Sequence, residues 1–107
     1  MNSIEHFING KTVKGSSNRT AKVFNPATGE VSSNVNLANT ADLNKAVEAA
    51  KKAFPSWSQK TPLFRARVLF KFKELIEKNY DELTKIIVSE HGKVYEDAKG
   101  SLTRGLE

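Results

Sequence analysis

The chain contains no cysteine among its 107 residues, which excludes disulfide bonds, thiolate metal sites and cysteine nucleophiles within it. Only two histidines are present, His6 and His91, and neither has a second ligand at metal-site spacing. None of the six glycines falls in a G-x-G-x-x-G or Walker pattern, so no phosphate-binding loop is predicted. Motifs therefore assign no metal-binding, cofactor-binding or catalytic residue.

Long apolar runs are also missing, and hydrophobic residues make up only 38% of the chain. No segment approaches the roughly 20 apolar residues that a transmembrane helix needs. The first ten residues, MNSIEHFING, lack the basic and then apolar layout of a signal peptide. We therefore expect a cytoplasmic protein with no membrane partner.

Positive charge is in excess, with a formal net charge of +5. Four basic residues could form a phosphate-contacting helix face: Arg65, Arg67, Lys71 and Lys73. However, Glu74 and Glu77 are interleaved with them, and no known nucleic-acid-binding motif accompanies them. We expect a solvated helix face and no nucleic-acid partner. A free-standing basic helical module that binds a partner is the alternative function.

Residues 1–38 have the pattern of short strands. Apolar residues flank Asn9-Gly10, the pair best suited to the type I′ turn of a hairpin. Two further strands, residues 21–24 and 30–37, are separated by the turn sequence Asn25-Pro26-Ala27-Thr28-Gly29. The pattern predicts a small antiparallel β meander.

Residues 39–107 have the pattern of amphipathic helices. The first is expected to begin with Thr40 as N-cap and to end near Phe54, because Pro55 follows. Its apolar face consists largely of alanine, which would let another element approach closely. The last is expected from Tyr95 to Glu107, where the helical pattern stops without a C-cap.

Between them, the sequence from Thr61 to Gly92 predicts two helices. Thr61 is a candidate N-cap with proline at the next position, and Gly92 is a candidate C-terminal residue. Asn79 is expected to separate the helices and to cap the second one through a capping-box variant with Glu82.

The apolar stripe of these helices has no partner in the sequence. The stripe begins with Val68, Leu69, Phe72, Leu75 and Ile76. We interpret the chain as one continuous, incomplete piece of a larger α/β unit.

One arginine is a candidate ligand-binding residue. Arg104 lies in a weakly charged stretch between Gly100 and Gly105, and small neighbours would let its guanidinium reach a carboxylate with two hydrogen bonds. An ordinary surface arginine is the alternative interpretation.

A family resemblance follows from segments spread along the whole chain. They are Phe7–Lys11, Val23–Glu30, Ala46–Trp57, Arg65–Leu69, Asp81–Leu83 and Glu90–Lys93. In order and spacing they resemble the opening of the aldehyde dehydrogenase superfamily. Asp97–Glu107 is similar to the CoA-acylating methylmalonate-semialdehyde dehydrogenase branch, whose members typically carry an acidic residue where this chain has Ser101.

The resemblance implies a parent enzyme that oxidises malonate or methylmalonate semialdehyde with NAD. It would release CO2 and transfer the acyl group to coenzyme A, giving acetyl-CoA or propanoyl-CoA and NADH in inositol or valine catabolism. Arg104, in the R-G-L-E motif of this branch, is implied to bind the substrate carboxylate.

The same resemblance implies that the catalytic cysteine and the cofactor loop lie beyond this chain. Residues 1–107 would then be the N-terminal part of the NAD-binding domain, with the meander at 1–38 and the helices at 39–107. Alone, this segment is expected to be inactive. Within the parent, a homodimer or homotetramer is expected.

Overall fold

The computed structural model describes residues 2–107, which form two compact units. The first unit comprises the residues up to Phe24 together with Val31–Lys60, and the second comprises Asn25–Glu30 and Thr61–Glu107. Short strands and four helices make up an α/β structure, as the sequence predicts.

The first unit contains five strands and one helix. These are β1 (Asn2–Ile4), β2 (His6–Ile8), β3 (Lys11–Val13), β4 (Thr20–Phe24), β5 (Val31–Asn36) and α1 (Thr40–Ser58). β2 and β3 form a hairpin whose turn residues Asn9 and Gly10 have φ of +53° and +75°. Two consecutive positive φ values are those of a type I′ turn, so the predicted hairpin is confirmed.

The strands do not form a single antiparallel meander. β5 lies between β1 and β4, antiparallel to β4 but parallel to β1, and the β2–β3 hairpin forms a sheet of its own. A side-chain bond joins the parallel pair, because Ser3 Oγ donates to Asn36 Oδ1 at 3.2 Å. Asn36 Nδ2 also donates to the Lys14 carbonyl, just after β3, at 3.0 Å. Asn36 is 7% exposed, so these bonds satisfy a buried amide.

The N-cap of helix α1 lies one residue before the predicted one. Asn39, and not Thr40, is the N-cap: Asn39 Oδ1 accepts from the Asp42 amide at 2.9 Å, and Asp42 Oδ2 accepts from the Asn39 amide at 3.1 Å. Ser16 also donates to Asp42 Oδ1, from its amide and from its hydroxyl, both at 2.8 Å. The reciprocal bonds of the capping box favour Asn39 over its neighbour.

The helix also continues through Pro55, contrary to the prediction that it ends near Phe54. A proline near the end of a helix removes one backbone hydrogen bond, while the carbonyl of the proline still accepts. Here the Pro55 carbonyl accepts from the Gln59 amide at 3.3 Å and from Ser58 Oγ at 3.0 Å, which holds the last turn.

The second unit contains helices α2 (Pro62–Lys78), α3 (Tyr80–His91) and α4 (Tyr95–Leu106). Thr61 caps α2 as predicted, because its Oγ1 accepts from the Phe64 amide at 3.2 Å. Asn79 separates α2 from α3, but its side chain does not cap α3. Its side-chain Nδ2 instead donates to the Leu75 carbonyl at 2.7 Å, which also accepts from the Asn79 backbone amide at 3.2 Å.

Gly92 ends α3 in the left-handed conformation that the sequence predicts, with φ of +80°. It also lies against the turn at Asn25–Glu30. A Cβ atom placed on Gly92 would stand 3.0 Å from Pro26 Cγ, closer than side chains normally approach. Gly92 is therefore required both by its backbone conformation and by its contact with Pro26.

Helices α3 and α4 pack through small residues and tyrosine hydroxyls. Thr84 on α3 and Ala98 on α4 are fully buried. Tyr80 Oη donates to the Lys99 carbonyl at 2.7 Å and also contacts Thr103 Oγ1. Polar bonds and two fully buried small side chains thus contribute to the packing of this pair.

Many large apolar side chains stay exposed on the described residues. They include Phe7, Phe54, Leu63, Leu69, Phe70, Phe72 and Val94, each more than half exposed. Leu75 is also accessible, at 47% of its surface. None of the helices formed by residues 2–107 is long and apolar enough to cross a membrane.

Candidate substrate-binding site

Arg104 lies in the last turn of α4, where a cation is favoured by the helix dipole. Its side chain is exposed and folds back along the helix, so that Nη2 donates to Ser101 Oγ at 3.3 Å. Its Nη1 atom would be 3.4 Å from a Cβ atom on Gly100. The guanidinium therefore rests close to the backbone of Gly100, with a defined direction.

A second cation contacts the same serine. Lys93 lies just before α4, is partly buried and donates from Nζ to Ser101 Oγ at 3.0 Å. Ser101 Oγ in turn donates to the Asp97 carbonyl at 3.3 Å. A hydroxyl has one donor and two acceptor positions, so this arrangement uses the full capacity of Ser101.

No carboxylate neutralises these two cations within residues 2–107. The salt bridges of this part of the chain are Lys71–Glu74, Lys73–Glu77 and Lys85–Asp81. The hydrogen bond to Ser101 is the one that the Arg104 guanidinium makes among the described residues. Most of its five N–H groups therefore remain available, and their planar arrangement matches the two oxygens of a carboxylate.

The lysines of the basic face of α2 are solvated as the sequence predicts, whereas Arg65 is half-buried. Lys71 lies 2.8 Å from Glu74 and Lys73 lies 3.7 Å from Glu77, and all four side chains are more than half exposed. Exposed pairs of this kind are typical of a hydrated helix surface.

Shifted pKa values occur in a cluster between α3 and α4. Hydrogen bonds from Lys85 and Tyr95 lower the pKa of Asp81. The hydrogen bond to Asp81 raises the pKa of Lys85 and also raises the pKa of Tyr95. These groups satisfy one another, so the cluster is a structural link between the two helices and not a proton-transfer site.

Asp42 is the other carboxylate with a shifted pKa. The Asn39 amide lowers the pKa of Asp42 most strongly, and Ser16 lowers it further. Asp42 is 3% exposed, and its hydrogen bonds place it in the capping box of α1. Its role in this structure is therefore to fix the start of a helix.

The sequence predicts Arg104 as a ligand-binding residue and this stays a prediction; the contacts of Ser101 with Arg104 and with Lys93 were not predicted. The departure at position 101 was the available signal: a residue that is typically acidic in the resembled branch is expected to face a cation, and Lys93 is that cation. Within the described range, no group of three or more His, Asp or Glu side chains is arranged to hold a metal ion.

Comparison with known proteins identifies relatives of this chain. The aldehyde dehydrogenase family model matches residues 12–107. The malonate-semialdehyde dehydrogenase of Pseudomonas aeruginosa is 48% identical over 107 residues, covering all of this chain and 21% of the relative.

Solved structures extend the comparison to the fold. The methylmalonate-semialdehyde dehydrogenase of Oceanimonas doudoroffii superposes with a TM-score of 0.95 at 48% identity, covering 99% of this chain and 22% of that chain. A Sinorhizobium meliloti protein assigned as a methylmalonate-semialdehyde dehydrogenase, solved with NAD, gives a TM-score of 0.96 at 51% identity, with the same coverage of both chains.

The chain thus spans about a fifth of the length of the relatives it matches. The match of the family model covers most of its residues, and the strands and helices superpose on family structures. The chain belongs to the aldehyde dehydrogenase family.

Proposed function

We propose that residues 1–107 form the N-terminal part of the NAD-binding domain of a semialdehyde dehydrogenase, referred to below as the parent enzyme. The parent oxidises malonate or methylmalonate semialdehyde with NAD, releases CO2 and transfers the acyl group to coenzyme A. The supporting observation is the similarity of the whole chain to malonate- and methylmalonate-semialdehyde dehydrogenases, at 48% to 51% identity.

Arg104 binds the carboxylate of the semialdehyde in this proposal. Its guanidinium is held over Gly100 by the bond to Ser101, and no acidic side chain of residues 2–107 pairs with it. Pre-positioning of an arginine lowers the entropy cost of binding, and the two-oxygen geometry distinguishes a carboxylate from a neutral group. An aldehyde without a carboxylate gains nothing from this contact.

NAD is supported by the family structure that was solved with it. Residues 1–107 contain no G-x-G-x-x-G or Walker sequence, and side chains occupy the N-termini of α1 and α2, whereas those of α3 and α4 have no side-chain cap. The Asn39 and Asp42 side chains fill the N-terminus of α1, and the Thr61 hydroxyl fills that of α2. In the proposal, other parts of the parent hold NAD and coenzyme A and supply the covalent chemistry, since this chain has no phosphate-binding motif and no cysteine.

The exposed apolar side chains support a larger assembly. Phe70 and Phe72 on α2 are 68% and 59% exposed, which is costly for a chain that stays alone in water. In the proposal, later segments of the parent cover this face, and the parent forms a homo-oligomer in the cytoplasm. Light scattering of the purified parent tests the oligomeric state.

The decisive test is an assay of the parent with malonate semialdehyde, methylmalonate semialdehyde and propanal. We expect NADH and an acyl-CoA product from the semialdehydes when both NAD and coenzyme A are supplied, and a lower kcat/KM for propanal. Oxidation of propanal without oxidation of either semialdehyde would refute the proposed substrate class. Formation of the free acid in place of the thioester would refute the acylating step.

A further inference from the structure

The two arginines of α2 lie on different sides of the helix. Residues three, four or seven positions apart share one side of a helix, and from Arg65 these spacings lead to apolar side chains: Val68, Leu69 and Phe72. Arg67 lies in line with Lys71 and Glu74, which form an exposed salt bridge. Arg65 therefore stands at the start of the apolar stripe of α2, whereas Arg67 belongs to the solvated side.

The guanidinium of Arg65 contains a buried nitrogen that lacks an acceptor. Arg65 is half-buried, and its Nε atom makes no hydrogen bond within residues 2–107 although it is hidden from water. The salt bridges in this range do not include Arg65. A buried donor without an acceptor costs free energy, and the cost is larger when the donor is charged. Arg65 therefore requires an acceptor that the described residues do not supply.

The apolar stripe that begins at Arg65 is open along α2. Val68, Leu69, Phe72 and Leu75 are between 45% and 61% exposed. Phe72 and Leu75 also line an apolar groove of about 360 Å³ between α2 and α3, whose other side includes Leu83 and Ile86. Stripe and groove form one surface that can receive an extended or helical segment, with the positive charge of Arg65 at one end.

We propose that a segment of the parent beyond residue 107 packs along the apolar stripe of α2 and pairs an Asp or Glu carboxylate with Arg65. This inference rests on the proposed function, in which later segments of the parent cover α2. Charge complementarity selects an acidic residue within an otherwise apolar segment. The chain spans about a fifth of the length of its relatives, so a parent of that length has ample chain to supply the segment.

A carboxylate suits this position better than a backbone carbonyl. When a segment covers the stripe, the Arg65 guanidinium loses contact with water, and a charge removed from water needs an opposite charge as well as acceptors. A carboxylate supplies both, because its two oxygens can accept from Nε and from one Nη nitrogen in parallel. A carbonyl would accept from Nε and leave the charge unneutralised. The ion pair would also fix the register of the segment on the stripe.

Cross-linking of the parent identifies the partner of Arg65. Arg65→Lys places a primary amine at this position, and Arg67→Lys is the matched control on the solvated side of the same helix. A water-soluble carbodiimide joins an amine to an adjacent carboxylate, and mass spectrometry of the digested parent identifies the two peptides. We expect the new amine of Arg65→Lys to be joined to an Asp or Glu beyond residue 107 of the same chain, and that of Arg67→Lys not to be.

The unfolding rate of the parent measures the contribution of the ion pair. Arg65→Met removes the charge and keeps a long apolar side chain. We expect it to unfold about tenfold or more faster in urea than the unaltered parent, because a carboxylate of the later segment loses its partner. Arg67→Met should change the rate by less than about twofold. If no carboxylate faces Arg65, methionine suits the apolar stripe and Arg65→Met unfolds no faster than Arg67→Met, which would overturn the proposal.

The cross-linking result can overturn the proposal independently. A cross-link from Arg65→Lys to a carboxylate within residues 1–107, a covalent dimer that joins two copies, or no cross-link would each do so. If one of the two Arg65 variants does not fold, the other decides. Neither measurement uses a substrate. A parent that forms the expected cross-link but does not oxidise the semialdehydes would therefore contradict the proposed activity and leave this inference standing.

Discussion

Tyr95 at the start of α4 donates a hydrogen bond of 2.6 Å from its hydroxyl to Asp81 Oδ1 at the start of α3. Lys85 Nζ lies 2.6 Å from the second oxygen of the same carboxylate. The Asp81 carboxylate thus binds Lys85 on its own helix, α3, and Tyr95 on the neighbouring helix, α4. Both donors favour its ionised form, and this sets the pH behaviour of the helix pair.

Because the pKa of Asp81 is lowered in the folded protein, its contribution to stability is present above its ordinary pKa of 3.8. That contribution is lost as the pH falls through the folded value, since the unfolded chain then binds more protons. We expect acid unfolding of Asp81→Asn to be less steep below about pH 4 than that of the unaltered protein. Identical pH profiles would contradict this.

Tyr95→Phe should raise the pKa of Asp81 toward its ordinary value, because one of the two hydrogen bonds that stabilise the carboxylate is lost. The carboxyl carbon shift of Asp81, followed by NMR as a function of pH, measures this directly. Tyr80→Phe is the matched control, since Tyr80 bonds to a carbonyl and a hydroxyl and not to Asp81.

The raised pKa values of Lys85 and Tyr95 affect the stability of the protein at high pH. Lys85 and Tyr95 both have folded pKa values above their ordinary 10.5 and 10.0, so their contribution is complete below those values. It is lost as the pH rises through the folded pKa values. A second loss of stability is therefore expected above about pH 10, and it should be weaker in Asp81→Asn.

Substitution of Asn39 and of Thr40 shows which of the two residues caps α1. Asn39→Ala should destabilise the protein by about 0.5–2 kcal/mol, as the loss of an N-cap side chain does. Thr40→Ala should change the free energy of unfolding by less than about 0.5 kcal/mol, the usual range for an exposed position without a special contact. Urea unfolding measures both, and equal effects would contradict the assignment of Asn39 as the cap.

Two glycines of the second unit should respond in opposite ways to alanine. Gly92→Ala should destabilise by at least about 1–2 kcal/mol, the cost of the left-handed conformation, with the approach to Pro26 as an added cost. Gly105→Ala lies in α4 with open space around it and should stabilise by about 0.5–1 kcal/mol. The urea concentration at the midpoint of unfolding should therefore fall for Gly92→Ala and rise for Gly105→Ala.

Leu75→Ala tests whether the rest of the parent covers the apolar face of α2. Leu75 is 47% exposed on residues 2–107, yet we expect a cost of about 2–5 kcal/mol in the parent, as for buried leucines. Glu74→Ala on the same helix removes an exposed salt bridge and should cost less than about 1 kcal/mol. A similar small loss for both variants would show that the face stays in water.

The sequence predicted the features that depend on a few neighbouring residues. The turn at Asn9-Gly10, the cap at Thr61 and the left-handed Gly92 are each determined by local backbone preferences, and each is confirmed. The resemblance of segments along the whole chain predicted the family, and the comparisons confirm that prediction.

Features that depend on distant partners were not predictable in this way. The parallel pairing of β1 with β5 joins segments about thirty residues apart, and nothing in either segment specifies it. Asn79 has good cap chemistry for α3, but its side chain donates to the Leu75 carbonyl in the last turn of α2 instead. The meeting of Lys93 with Ser101 depends on the course of the lysine side chain along α4, which spacing alone does not indicate.

The contact of Pro26 with Gly92 has a consequence for folding during synthesis. The turn at Asn25–Glu30 belongs to the same unit as α2, α3 and α4, although three helices separate it from Gly92 in the sequence. Contacts between such distant residues slow folding, because a long loop must close before they form. Because the chain leaves the ribosome from its N-terminus, this turn cannot pack against Gly92 until the end of α3 has been synthesised.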